Sequence, residues 1–413
     1  MPSKTITFEF VEDGRRPRYI LGGDGVSGLF SESERELRPV SESKLADFHS
    51  AVVNFIRRID DNENKVLSKI GREQRIWSAL TELLTAGNII WEYALGDEPS
   101  EWLGRLNHLL TAELPPEWWK DPATNSQYMY ETRTLGVPDR MLPLDLLPLG
   151  ERSRFIYGGP EDVVQLAAVF GGFVSRVRYA ASHRGVFTHP ELRGPRAVLS
   201  IQSDKAPAVS EMSIQLSSIE DPIAGLWGPH PYPNSGHFAT PDEIARSFTV
   251  LDRAPDTGAL IDVVHFYSHG YTWSDPAATL LLNVDWKGDP SPLVVRGVHF
   301  EKARKKAKDA QATGPIVLLN ACHSLGHIGS EWRSTALALI TTGTRAILGV
   351  RDEIPGAVAV QMSSKVLQLM NSGMSVGSAA VGARWHLLNN YMNPLGLLFA
   401  TFGDIDSVRS SVR

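Results

Sequence analysis

The sequence predicts an α/β protein: a predominantly parallel sheet covered by helices on both faces, preceded by a mixed, largely helical N-terminal half. Three observations lead there. From about Arg196 onward, apolar runs of strand length alternate with helical segments. Those runs are continuous rather than alternating, as strands buried on both faces are. In the first third, a single alternating strand gives way to apolar residues at helical spacing. Two regions follow, 1–185 and 186–413.

Bulk properties narrow the class. A chain of 413 residues can bury a large core and hold two or three domains. Hydrophobic content of 42% with 21% charged residues is that of a soluble globular protein. A net charge of −6 gives no reason to expect nucleic acid as a partner. The single cysteine excludes an internal disulfide framework and suits a reducing compartment. Met1 to Asp13 lacks a basic segment followed by an apolar one, and no apolar run approaches 18 residues. The expectation is a cytoplasmic protein without a membrane partner.

In chain order, Thr5 to Val11 alternates, with Ile6, Phe8 and Phe10 on one side, and reads as a half-buried strand. Gly22-Gly23-Asp24-Gly25 breaks the chain. Leu45, Phe48, Val52, Phe55 and Ile59 recur at helical spacing, and a second helical stretch carries Val66, Ile70, Trp77, Leu80, Leu84, Ile90 and Trp91. Residues 114–150, rich in proline and aromatics, read as a loop or connection. Within them lies the apolar, proline-interrupted segment Met141 to Leu147. A helix is predicted from about Glu161 to Ala180.

The alternation of strand and helix then begins. Ala197 to Gln202 reads as a strand and Ala208 to Ile219 as a helix. Thr240-Pro241-Asp242-Glu243 is a helix start, with a capping threonine and proline in the first helical position. Asp262 to Ser268 reads as a strand and Phe300 to Ala312 as a helix whose lysines and arginine form a solvated face. Gly314-Pro315 opens the strand that ends at Cys322. Helix, strand, two helices and a strand follow: Glu331–Thr341, Arg345–Val350, Pro355–Met370, Val376–Leu388 and Leu397–Phe402.

Two stretches carry chemistry. Val263-Val264-His265-Phe266-Tyr267-Ser268-His269-Gly270 and Ile316-Val317-Leu318-Leu319-Asn320-Ala321-Cys322-His323-Ser324 are both apolar runs that end in reactive residues. If the two strands lie side by side, His269 and Cys322 meet at one sheet edge. Open parallel sheets work beyond the carboxyl ends of their strands. An ordinary thiol is only a few per cent thiolate at neutral pH, so a neighbouring imidazole matters: it activates the sulfur and can later protonate a leaving amine. Gly270 lets its backbone N–H approach a reacting carbonyl, and with the Cys322 N–H it suits an oxyanion hole. His265 reads as a packed strand residue hydrogen-bonded near the site. His323 and His327 flank the cysteine but lack the further ligands of a zinc site. No phosphate-binding Gly-Lys loop is present, and no metal or cofactor is expected.

On these residues the chain resembles the caspase-like cysteine peptidases, and among them the CHAT branch. The carriers are Ser268-His269-Gly270 and Asn320-Ala321-Cys322-His323-Ser324. Supporting stretches are Thr344 to Asp352, Gly373 to Ala379, Leu398 to Asp404 and Met141 to Leu147. The resemblance spans about residues 60–413, and it is tight only in the last 160. It implies a caspase-like fold, Cys322 as nucleophile, His269 as base, and oxyanion donors at Gly270 and Cys322. It also implies that the N-terminal half is a degenerate, non-catalytic partner half. The implied activity is that of a cysteine endopeptidase acting on a specific protein target. The implied setting is bacterial antiviral defence or cell death, with an activating partner and a gasdermin-like companion as target. Some relatives place aspartate where this chain has Asn320, and cut after Arg or Lys. Here Asp352 or Asp275 could supply that charge, Asn320 could line the pocket, and each aspartate also reads as a loop cap or surface charge. Two other readings stay open: a non-proteolytic scaffold or interaction module with a buried inert thiol, and a different acyl transfer.

Overall fold

In a computed structural model, the described residues are 4–12, 17–24, 26, 35–60, 72–96, 99–136, 141–150, 158–180, 196–202, 229–232, 241–251, 253, 258–267, 279–282, 293–306, 314–320 and 335–407. The helix predicted over Ala208–Ile219 lies outside them. The chain forms two compact units: residues 1–184, 327–330 and 377–400 make the first, and residues 185–326, 331–376 and 401–413 the second.

The first unit carries β1 (Thr5–Val11), β2 (Arg18–Gly23), β3 (Arg35–Leu37), β4 (Glu131–Leu135) and β5 (Arg176–Ala180), in the order β3-β2-β1-β4-β5. Pairs β1–β4 and β4–β5 are parallel, while β1–β2 and β2–β3 are antiparallel. Strand β1 buries alternate residues, Ile6, Phe8 and Phe10, as its pattern predicts. The helix Glu42–Asp60 buries Leu45, Phe48, Val52, Phe55 and Ile59, one stripe at helical spacing. It is followed by the helices Glu73–Leu95 and Pro99–Thr111. Trp91, with its ring 5.8 Å from Phe8 and 5.5 Å from Trp102, donates its indole N–H to the Pro148 carbonyl at 2.6 Å. These tryptophans are core. The segment Met141 to Leu147 is fully buried, and its Asp145 carboxylate accepts the Tyr179 hydroxyl.

One expectation is corrected here. The helix predicted over Glu161–Ala180 is instead a 3₁₀ turn (Pro160–Asp162), two short helices (Val163–Ala167 and Gly171–Val174) and strand β5. The cause is close backbone approach. A Cβ at Gly171 would stand 2.0 Å from the Leu144 carbonyl oxygen, so the chain passes where only glycine fits. Beyond it, Val177 and Tyr179 are buried at strand spacing. The late segment 377–400 completes this unit. Arg384 donates to the Gly172 and Phe399 carbonyls, each at 2.7 Å, and Trp385 donates to the Phe173 carbonyl at 3.0 Å.

The second unit holds β6 (Arg196–Gln202), β7 (Pro229–Tyr232), β8 (Leu260–Tyr267), β11 (Ile316–Asn320) and β12 (Ala346–Val350), in the order β12-β11-β8-β6-β7, all pairs parallel. Strand β13 (Phe399–Gly403) follows β12 in that order, with Thr401–Gly403 in this unit. A separate antiparallel pair joins β9 (Thr279–Leu282) to β10 (Leu293–Arg296). Strands β11 and β12 are buried at every position, as their continuous apolar runs predict. Helices cover both faces of the sheet. Phe248 of the helix Pro241–Thr249 packs 5.6 Å from Phe266, while the helix Gly356–Asn371 reaches the opposite face through Ser363. The unit is therefore α/β with a parallel sheet between helices.

Candidate functional site

The strand order β7-β6-β8-β11 reverses direction between β6 and β8, and ligands in doubly wound sheets bind beyond the carboxyl ends at such a point. The register there is level. Gln202 of β6 pairs with Tyr267 of β8, and Tyr267 pairs with Asn320 of β11. All three are the last residues of their strands. His269, Gly270, Asp275 and Cys322 follow these ends and lie outside the described residues, as do His323 and His327. Asn320 and Asp352 are described.

A chain of neutral polar groups lies just inside this edge. His265 is completely buried on β8, where its register partners are Ser200 on β6 and Leu318 on β11. Its Nδ1 lies 3.1 Å from the Ser200 hydroxyl and its Nε2 3.3 Å from the Asn320 amide nitrogen. The same amide nitrogen donates to Ser363 Oγ and, at 3.4 Å, to the Ala359 carbonyl. A carbonyl can only accept, so the amide presents its two N–H groups on this side, shared among the three partners, and an amide nitrogen cannot itself accept. His265 Nε2 must then accept, its proton sits on Nδ1, and Nδ1 donates to Ser200. Burial holds the imidazole neutral by pushing its pKa down to about 3. The ring of Tyr267 stacks at 6.3 Å, nearly parallel.

Asn320 is 5% exposed, and its amide is engaged with this inner chain. Asp352 follows β12 and is 6% exposed, with Oδ1 accepting the Glu353 N–H at 2.8 Å. Leu319 pairs with Gly349, so Asp352 stands as far beyond its partner strand's register point as Cys322 does along its own chain (352 − 349 and 322 − 319). Arg351 beside it is also buried.

Sequence reasoning found His265 as a packed, hydrogen-bonding strand residue, and it is one. It missed Ser200 and Ser363. A serine on a strand or a helix carries no local signal, and these reach their partners across 65 and 43 residues of chain. Among the described residues no group of three or more His, Cys, Asp or Glu could hold a metal ion, and no helix is long and apolar enough to cross a membrane.

No protein-family model matches the chain, and no curated protein matches it. Among solved structures it is similar to chains in two crystal structures of the Saccharomyces cerevisiae separase–securin complex. Identity is 10% in both, with TM-scores of 0.48 and 0.42. Each match covers 97% of this chain and 30% of the other, so the chain spans under a third of the length of those it resembles.

Proposed function

We propose that the protein is a cysteine endopeptidase of caspase-like type in which His269 and Cys322 form the catalytic pair. The observation that carries this reading is the register of β8 against β11. Tyr267 and Asn320 are level on adjacent parallel strands, and His269 and Cys322 each come two residues later (269 − 267 and 322 − 320). Neighbouring strands run about 4.8 Å apart, so residues leaving at equal height on one face are within reach of each other. The His265–Asn320 contact puts these two side chains on the same face. We extend that alternation by two residues beyond each strand end, to positions 269 and 322.

The chemistry follows from the residue types. His269 takes the Cys322 thiol proton, and the thiolate attacks the scissile carbonyl. The N–H groups of Gly270 and Cys322 hold the oxyanion. The imidazolium gives its proton to the departing amine, leaving a thioester. Water, deprotonated by the same histidine, then hydrolyses the thioester and restores the thiol. Asp275 belongs to the proposed substrate surface and Asp352 to a pocket for a basic residue before the cut, while Asn320, buried with its amide engaged by His265, Ala359 and Ser363, backs that surface from inside rather than lining it. The target is a specific protein, with a bacterial defence or cell-death system as the setting and a pore-forming companion as the substrate class.

The test is cleavage of a diverse fluorogenic peptide library, with and without host lysate, by the wild type, Cys322→Ala and His269→Ala. Turnover by the wild type alone supports the reading. Turnover that survives in Cys322→Ala removes the cysteine from the mechanism. Absent turnover, with Cys322 labelling slowly and indifferently to His269, favours an interaction module instead.

A further inference from the structure

Strands β8 and β11 pose a register problem. Val263, Val264 and Phe266 on β8 and Ile316, Val317 and Leu319 on β11 are all fully buried, on both faces of the sheet. In a strand that is apolar on one side only, a slip of one residue exposes the core and is heavily penalised. In strands buried on both sides, a slip exchanges one apolar side chain for another. Hydrophobic burial is non-directional and discriminates such registers poorly. Directional hydrogen bonds between buried groups do discriminate, because a slip leaves donors and acceptors stranded away from water.

Only a few polar side chains interrupt these strands near their carboxyl ends, and they meet. Ser200, His265, Asn320 and Ser363 join three strands and one helix, and each is buried. Asn320 is the last residue of β11, and His265 lies one side-chain repeat before the last residue of β8. The chain of bonds therefore acts at the final step before both strands end.

We infer that the Ser200–His265–Asn320–Ser363 chain sets the height and face at which β8 and β11 end, and that His265 is a positioning residue for the pair that follows. This rests on the His269–Cys322 reading. His265 takes no part in proton transfer. It is enclosed, its Nε2 accepts from Asn320, and its Nδ1 proton is committed to Ser200.

The protein has one cysteine, so alkylation by iodoacetamide followed by intact mass reads Cys322 alone. The rate is measured against pH for the wild type, His269→Ala, His265→Phe, His265→Gln, Ser363→Ala and Val264→Ala, with a melting temperature for each. The wild type is expected to show a midpoint well below the ~8.5 of an ordinary thiol, and His269→Ala to abolish that shift. His265→Phe keeps the volume and loses the acceptor. Its midpoint rises by about one unit, a roughly tenfold slower reaction at pH 6. His265→Gln keeps an acceptor for Asn320 and holds the wild-type midpoint. Val264→Ala, on the opposite face of β8, lowers the melting temperature without moving the midpoint. If His265→Phe does not fold, Ser363→Ala removes a single hydroxyl and carries the same test, with about half the shift. A low, His269-dependent wild-type midpoint that neither variant moves overturns the positioning role and leaves the dyad standing. An equal shift in Val264→Ala overturns it too, since general loosening would then suffice. A wild-type midpoint near ~8.5 that ignores His269→Ala overturns the dyad and this inference together.

Discussion

Replacing His265 with glutamine should flatten part of the protein's pH dependence of stability. The imidazole is completely buried among neutral partners, and its pKa is pushed down to about 3 by loss of hydration. In the unfolded chain the same ring titrates near ~6.5. Below that pH the unfolded state takes up a proton that the folded state refuses. Stability from this group is therefore complete above pH ~6.5 and is lost as pH falls toward about 3, at about 1.4 kcal/mol per unit. Between pH 6.5 and 4.5 the loss is roughly 2.3 kcal/mol, and over the whole window it is at most about 5. Glutamine carries no charge in either state. The gap between wild type and His265→Gln, measured by urea unfolding with tryptophan fluorescence, should therefore shrink by roughly 2–3 kcal/mol over those two units. Taking the difference removes the titration of the carboxylates, which both proteins share. A gap that stays constant from pH 7.5 to 4.5 would show that His265 accepts a proton in place, and the reasoning about its enclosure would be refuted.

Asn320→Asp places a carboxylate against the Ala359 carbonyl and the unprotonated His265 nitrogen. It should cost about 2–4 kcal/mol at neutral pH and less in acid, read by the same urea curves. A stable variant with a newly titrating histidine would contradict the tautomer assigned above. Arg384→Leu strands the Gly172 and Phe399 carbonyls and should lower stability by about 2–5 kcal/mol, seen as a lower urea midpoint. Gly171→Ala drives a methyl into the Leu144 carbonyl and should impair soluble yield and melting temperature; wild-type behaviour would disprove that close approach. Asp352→Asn should reduce cleavage after Arg and Lys at least tenfold in the peptide library while sparing neutral residues, and an unchanged profile removes Asp352 from the pocket.

Much of the second unit could be read from the sequence because its strands are continuous apolar runs. Val263 to Tyr267, Ile316 to Asn320 and Ala346 to Val350 say strand without help from neighbours. The same holds for the helix Glu42–Asp60, whose stripe is written in Leu45, Phe48, Val52, Phe55 and Ile59. Strand β4 could not be read. Glu131-Thr132-Arg133-Thr134-Leu135 looks like a surface loop, yet Glu131 is fully buried and is answered by Arg133 at 2.6 Å and Arg178 at 3.5 Å. The partner strand that makes this arrangement tolerable is 45 residues away (176 − 131). Strand β5 was hidden for a related reason: Val164 and Ala168 suggest a helix, and only the approach of Leu144 to Gly171 reveals the break. At the candidate site, the motifs that follow β8 and β11 were legible as residue types, and the chemistry assigned to them is a proposal. The order of strands and the inner hydrogen bonds were not, because pairing and side-chain contact between distant segments leave no local trace.

The debt of the first unit to residues 377–400 also sets a schedule. The carbonyls of Gly172 and Phe173 belong to chain made early, while Arg384 and Trp385, which satisfy them, are made late. Ribosomes add about 5–20 residues per second, so roughly ten to forty seconds separate residue 180 from residue 400. Through that interval the emerging N-terminal unit carries Phe173 and Trp118 without the indole they pack against. A ribosome that stalls midway would release a chain whose first unit lacks its last helix and whose site lacks its second strand.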